Sequence, residues 1–363
     1  MNRLDKSIYT HNQIDKILKS NRAIKYRFEL LDKNNIALGE ISATGNINFN
    51  AECEIMRCST LSIKEIKDID YVNSRIKIYM QVRTPSGYVE YSLGVFLIAS
   101  PIRQSTGTSI TRTLECYDFA QILKEDKFIS RYYIAKGLNY VQAVISILES
   151  AKLFSHDITV SQLTTNVDIE FEIGTSKLEA INTLLKAINY TPLWFDENGT
   201  AKSSVYISPI NRIEEYSYIT DKESIIFSGA SQNIDTFNLP NSIVRYTENP
   251  ETGFLLASWI NNNPSSKLST ISRGRNIVDI ASVSDIANQS TLEQYVKRLA
   301  DEQSLYEQIS FDTATMPHHT YMNCLRIENK ELGINDTYIE YEWDLELTVG
   351  GKMNHKCRKL VSL

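Results

Sequence analysis

The chain has no run of apolar residues long enough to cross a bilayer. Its opening residues, MNRLDKSIYTHNQIDKIL, contain no hydrophobic signal core, so a cytoplasmic site of synthesis and assembly is expected. Five cysteines, at 53, 58, 116, 324 and 357, are odd in number and scattered, which points to free thiols rather than a disulfide framework. Basic charge is not in excess: 38 Lys and Arg stand against 44 Asp and Glu, a formal charge of −6. That balance argues against sequence-specific nucleic-acid binding or a general basic surface.

The motifs of common chemistries are also missing. There is no Gly-x-Gly-x-x-Gly, no Gly-x-Ser-x-Gly elbow, no His-Glu-x-x-His and no Cys-x-x-Cys. Gly174-Thr175-Ser176-Lys177 lacks the upstream glycine of a phosphate loop and reads instead as a helix start, with Ser176 and Glu179 forming a capping box. His318 and His319 are adjacent, so on a strand they would point to opposite faces and not share a metal. His355 and Cys357 would share a face but lack further ligands, and His11 and His156 stand alone. A structural role is expected for each histidine, with no catalytic residue, metal or cofactor. Lys64–Asp70, which interleaves lysines and carboxylates, reads as exposed surface.

What is present is strand pattern broken by helix pattern, in a chain too long for one small core. Residues 8–20 form a short helix or arm. Tyr26–Leu31, Ile36–Ile41, Ala51–Ile63, Arg75–Val82, Tyr88–Ala99 and Ser109–Tyr117 read as strands, with turn chemistry at Asp32–Asn35 and Thr84–Gly87. Helices follow, capped at Asn139 and Ser176, and then a hairpin turns at Asp196-Glu197-Asn198-Gly199. Strand pattern resumes at Ser242–Tyr246 and Phe254–Trp259. One helix is capped at Ser290 with Glu293, and Ile309–Thr315, Cys324–Glu328 and Met353–Val361 are further strands. The expected fold is α+β and mainly β: an arm (1–22), a first barrel-like domain (23–122), a small α+β domain (123–207) and a second barrel-like domain with one helix (208–363).

From Ile339 to Val349 the alternation is strict. Ile339, Tyr341, Trp343, Leu345, Leu347 and Val349 form one face, and Glu340, Glu342, Asp344, Glu346 and Thr348 the other. Beyond Gly350-Gly351 come Lys352, Lys356, Arg358 and Lys359. A three-residue turn would set Val349 opposite Met353, Leu345 opposite Cys357 and Tyr341 opposite Val361. It would also pair Asp344 with Arg358 and Glu346 with Lys356, leaving Glu340 unpaired and Glu342 opposite Leu360.

Several phrases resemble those of one protein family. They are Thr60–Tyr79, Tyr91–Pro101, Gly174–Tyr190, Trp194–Gly199, Ser272–Arg275 and Met316-Pro317. In that order, from about residue 20 onward, they resemble the tail-hub (minor tail, baseplate hub) proteins of tailed bacteriophages of Gram-positive hosts and of related phage-tail-like particles. The resemblance implies two tail-tube-like β-barrel domains flanking the α+β module. It also implies a homotrimeric ring that joins the hexameric tail tube to the distal spike or fibre complex around a DNA channel. The implied neighbours are a tail-tube or distal tail protein above and a spike, fibre or tape-measure protein below, and the implied location is the virion tail tip. The chain stops soon after its second β-rich part, so any lytic activity is expected on another polypeptide. The alternative is a host-surface-binding or cell-wall-degrading tail-tip protein. For a channel, Glu340, Glu342, Asp344 and Glu346 are the candidate lining residues, since carboxylates repel sliding phosphates. Trp259, beside an Asn-rich loop, is the candidate surface aromatic, whereas Trp194 and Trp343 are expected in the core.

Overall fold

The computed structural model describes residues 1–64, 69–105, 107, 109–234, 239–248, 253–283, 286–303 and 307–359. Part of the Lys64–Asp70 segment, and the expected strand partners Leu360 and Val361, lie outside these residues. The protein is mainly β, as its alternation implies. Strands of alternating burial assemble one 13-stranded sheet, and two further three-stranded sheets stand beside it.

The first β-rich region contributes seven antiparallel strands, not all of them neighbours in sequence. Ile24–Leu31 pairs with Ala37–Ile41 on one side and Arg75–Thr84 on the other, followed by Gly87–Ser105, Ile110–Tyr117, Arg57–Lys64 and Ala43–Asn50. The strand expected over Ala51–Ile63 is in fact a turn and a strand, Arg57–Lys64, and Ala43–Asn50 is an additional strand. In Ala43–Asn50, Ile47 and Phe49 enter the core while Asn46, Asn48 and Asn50 face away.

The second region does not form a separate sheet. The strand Ile334–Glu346 pairs with Ala43–Asn50 over its last five residues, with Cys324–Asn329 over its first six, and with Lys352–Lys359 along its other edge. The sheet thus runs unbroken from one β-rich region into the other, and among the described residues no ladder closes either into its own barrel. One hydrophobic core serves both, with Phe28, Ile47, Leu61 and Ile76 from the first packed with Tyr218, Phe311, Trp343 and Leu345 from the second. The helix His11–Lys19 docks here through Ile14 and Leu18, both essentially buried. Nine residues of isolated helix are marginal in water. Burying two aliphatic side chains, at about 1.5–3 kcal/mol each, is what holds it.

The intervening α+β module has its own core, built from Tyr140–Ser150 and Lys177–Ala187. Asn139 caps the first helix by accepting from the amides of Val141 and Gln142, and Ser176 caps the second by accepting from Glu179. Within the stretch expected as one second barrel, residues 242–303 stand apart. Ser242–Tyr246, Leu256–Ile260 and Val278–Ser282 make a small sheet against the helix Gln289–Gln303. That helix is capped by Asn288, whose side chain accepts from Thr291, rather than by Ser290.

Gly45 marks the tightest point of the junction. A Cβ there would lie 2.0 Å from the Thr60 carbonyl oxygen, and the Gly45 carbonyl accepts from Leu347. Backbone cannot yield as a side chain can. Gly45→Ala is therefore expected to lower stability by about 3 kcal/mol, the upper end of overpacking costs, read as a lower urea midpoint at unchanged slope.

Candidate functional site

The alternation of Ile334–Glu346 is not kept through its middle. Glu340 pairs with Cys357, yet Glu342 pairs with Lys356, so Tyr341 is an extra residue on this strand: a β-bulge. The bulge inverts parity. Below it Trp343 and Leu345 point into the core. Above it Glu340 and Tyr338 do, while Tyr341 turns out under the guanidinium of Arg358, 4.1 Å from its ring centroid. Ile339 packs separately with Cys324. The expected hairpin register is also displaced: Leu345 faces Met353, Asp344 faces Asn354 and Glu342 faces Lys356, because the loop after Glu346 is wider than a three-residue turn.

Glu340 is therefore not on the acidic face. It is 1% exposed and sits between two histidines. Its Oε2 lies 2.5 Å from His319 Nδ1 and its Oε1 2.6 Å from His355 Nδ1. His319 Nε2 meets the Tyr218 hydroxyl at 2.5 Å, and His355 Nε2 meets Thr313 Oγ1 at 2.7 Å. Three elements converge: the loop after Pro317, the bulged strand and its hairpin partner. The loop is pinned by Asn323, whose Oδ1 accepts from the Thr320 amide and whose Nδ2 donates to Glu215.

These contacts fix the proton inventory. Thr313 has one hydroxyl proton, and it is directed to the Ala314 carbonyl at 3.0 Å. Thr313 therefore accepts from His355 Nε2–H, and a shared proton lies between His355 Nδ1 and Glu340 Oε1. His319 donates from Nδ1 to Oε2, and Tyr218 donates to its Nε2. Every group is satisfied and the cluster carries no net charge. Burial agrees: it pushes the Glu340 carboxyl up, holds His355 down, and drives His319 down to about 3. Neighbouring His318 is fully buried, has no hydrogen-bond partner at either ring nitrogen, and is held well below the usual imidazole range by burial. The three ligand atoms lie within 4.8 Å of one another, the spread of a metal site. Nitrogen–oxygen separations of 2.5–2.6 Å are, however, those of hydrogen bonds, and are shorter than the roughly 3 Å edge between ligands sharing one ion.

The remaining candidates lie elsewhere. Glu342, Asp344 and Glu346 share the outer face of the sheet. Glu342 pairs with Lys356 at 2.8 Å and accepts from Asn50 at 3.2 Å; Asp344 accepts from Asn46 at 2.6 Å; Glu346 accepts from the Lys352 amide at 3.1 Å. The same face continues through Thr60, Ser62 and Thr113 on one side, and Asn354, Ser310 and Asp312 on the other. Across these six strands it is largely polar, with Ala314 beside Lys352 and, beyond the bulge, Ile339 beside Arg358 as its aliphatic members. Trp259 is not a free surface aromatic: it packs against the core of the small sheet beneath Gln289–Gln303. Trp343 is buried and Trp194 stacks on Tyr321.

Acid should unfold the protein through its histidines. Unfolded imidazoles take up protons below about pH 6.5, whereas folded His318 and His319 refuse them, so their stabilising contribution is lost as pH falls. Glu340 works in the opposite sense. Its neutral form is favoured by the fold, and that stability is lost as pH rises through its raised pKa. Glu340→Gln mimics the protonated acid. It is expected to match the parent near pH 4, below the ordinary carboxyl range, and to exceed it increasingly as pH rises above that, while Glu340→Leu loses about 3–5 kcal/mol by orphaning both imidazoles. Urea midpoints against pH check all three.

No protein-family model matches the chain, and no curated protein sequence matches it. Among solved structures it is similar to the tail protein from Neisseria meningitidis MC58, with a TM-score of 0.67 and 13% identity over 92% of this chain and 97% of that one. It is likewise similar to the 43 kDa tail protein of prophage MuSo2 from Shewanella oneidensis, at 0.65 and 10% over 92% and 98%. The prophage tail protein gp18 from Listeria monocytogenes EGD-e follows at 0.59 and 13% over 92% and 94%. The chain thus shares, over nine-tenths of its length, the fold of phage and prophage tail proteins.

Proposed function

We infer that the chain is a structural, non-catalytic component of a phage tail or tail-like particle, serving as the hub at its distal end. Three copies form a ring around the channel, a tube or distal tail protein docks above, and a spike, fibre or tape-measure protein docks below. The two β-rich regions stand in for the two tube-like domains of such a hub. The shared fold with tail proteins, matched end to end, supports the tail assignment.

The observation that carries the hub reading is the polar outer face. A sheet needs one face buried for stability, and its other face is free to be specified by function. Here, where the two β-rich regions join, that face sets Asn46, Asn48 and Asn50 beside Glu342, Asp344 and Glu346. Its acids (Glu115, Asp312, Glu342, Asp344, Glu346) nearly balance its bases (Lys64, Lys352, Lys356, Arg358). A near-neutral wall of Asn, Ser and Thr offers sliding DNA neither a cationic trap nor an apolar one. We place this face, rather than a row of four carboxylates, toward the channel; Glu342, Asp344 and Glu346 lie on it and Glu340 does not.

Mass photometry and negative-stain images of the purified chain are expected to show rings of three, and a monomer persisting at high concentration would count against the hub. Replacing Glu342, Asp344 and Glu346 together by Lys leaves a strongly basic patch. It is expected to slow DNA ejection from assembled particles while the ring stays intact, and unchanged ejection would remove this face from the channel.

A further inference from the structure

A small gap lies where the large sheet meets the hairpin turn of the α+β module. Arg57, on the strand Arg57–Lys64, points inward and is 1% exposed. Its Nη1 donates to the Leu93 carbonyl at 2.6 Å, and its guanidinium carbon stands 5.4 Å from the ring centroids of Phe49 and of Trp343. Its Nε and Nη2 are buried without any hydrogen-bond partner. On the other side is Glu197, at the tip of the turn between Trp194–Phe195 and Ala201–Ser203. Its Oε1 accepts from Asn198 at 3.3 Å, but its Oε2 is buried and also without a partner. Asn2, Ser92 and His319 also line it, with Trp343 and Leu345 among its apolar walls.

Buried charged groups left unpaired are among the costliest features a fold can carry. Here a cation with two spare donors and an anion with one spare acceptor border the same space and do not touch. The gap measures about 10 Å³, the room that one water centre needs, and a buried water is stable where two to four polar partners surround it. We propose that one ordered water fills this gap, accepting a hydrogen bond from Arg57 and donating one to Glu197 Oε2, and that the bridge latches the hairpin turn to the sheet.

The turn is placed for that role. Its backbone is already drawn in, since Ser92 Oγ donates to the Glu197 carbonyl at 2.6 Å and Gly199 lies against the Phe119 ring. Of the acidic groups around Arg57, Glu197 opposes the burial of its charge most strongly. Asp118 is the weaker counter-ion, because burial raises its carboxyl to about 6 and its oxygens are occupied by the amides of Arg57 and Ala120.

The test combines a crystal structure that resolves waters with amide exchange and unfolding of the full chain. A peak within hydrogen-bond distance of both side chains is expected. Glu197→Leu is expected to speed exchange across residues 194–203 by about ten-fold while the sheet strands stay protected, and Arg57→Met to do the same. The double variant should be no worse than the more damaged single, because both remove one bridge. Glu197→Gln, which keeps a water acceptor, should stay within about two-fold of the parent, and it serves if Arg57→Met does not fold. A dry gap, a direct Arg57–Glu197 bond, or multiplicative effects of the two substitutions would each overturn the proposal.

Discussion

The strand Ile334–Glu346 is hydrogen-bonded on both edges, and its partner on one edge changes midway. Cys324–Asn329 occupies that edge first and Ala43–Asn50 takes it over. At the changeover the Glu340 amide still donates to Asn323, while the Tyr341 carbonyl already accepts from Ala51. At the same point the strand carries an extra residue, Tyr341, relative to its neighbour on the other edge, Lys352–Lys359. The bulge thus sits where the two β-rich regions become one sheet over one core. Its consequence is local and unavoidable: side-chain parity flips, and a carboxylate enters the interior.

That explains why the polar cluster is where it is. A lone buried carboxylate would be very costly. Glu340 is accommodated because its hairpin partner supplies His355, the Pro317 loop supplies His319, and Tyr218 and Thr313 close the two ends. Such networks, when fully satisfied, help specify one packing of a core. The two polar sets in this protein therefore have different origins. One compensates for a bulge in the interior. The other, on the outer face, is under no packing demand and is free to serve whatever passes over it.

Much of this was legible in the sequence, and the exceptions have physical causes. Helix starts at Asn139 and Ser176, and turns at Asp32–Asn35, Thr84–Gly87 and Asp196–Gly199, are local chemistry and stand where the residues place them. The strand Ala43–Asn50 was hidden because Gly45 and three asparagines mimic turn composition, although Ile47 and Phe49 alternate correctly. The bulge at Tyr341 leaves no mark of its own: no glycine is needed, and the extra residue is defined only by its pairing against Lys352–Lys359. The perfect alternation from Ile339 to Val349 was for that reason misleading about Glu340, while remaining correct for Trp343, Leu345 and the three carboxylates below the bulge.

The displaced hairpin register follows from the same constraint. Pairing Asp344 with Arg358 and Glu346 with Lys356 would have gained two cross-strand ion pairs, each contributing about 0.2–1 kcal/mol. The observed register places Met353, His355 and Cys357 beside Leu345, Trp343 and Glu340, so the buried carboxylate gains an imidazole and Leu345 is buried against Met353. Leaving Glu340 without His355 would cost several times what two exposed ion pairs return. Charge matching on the solvent side is the weaker term, and the interior sets the register.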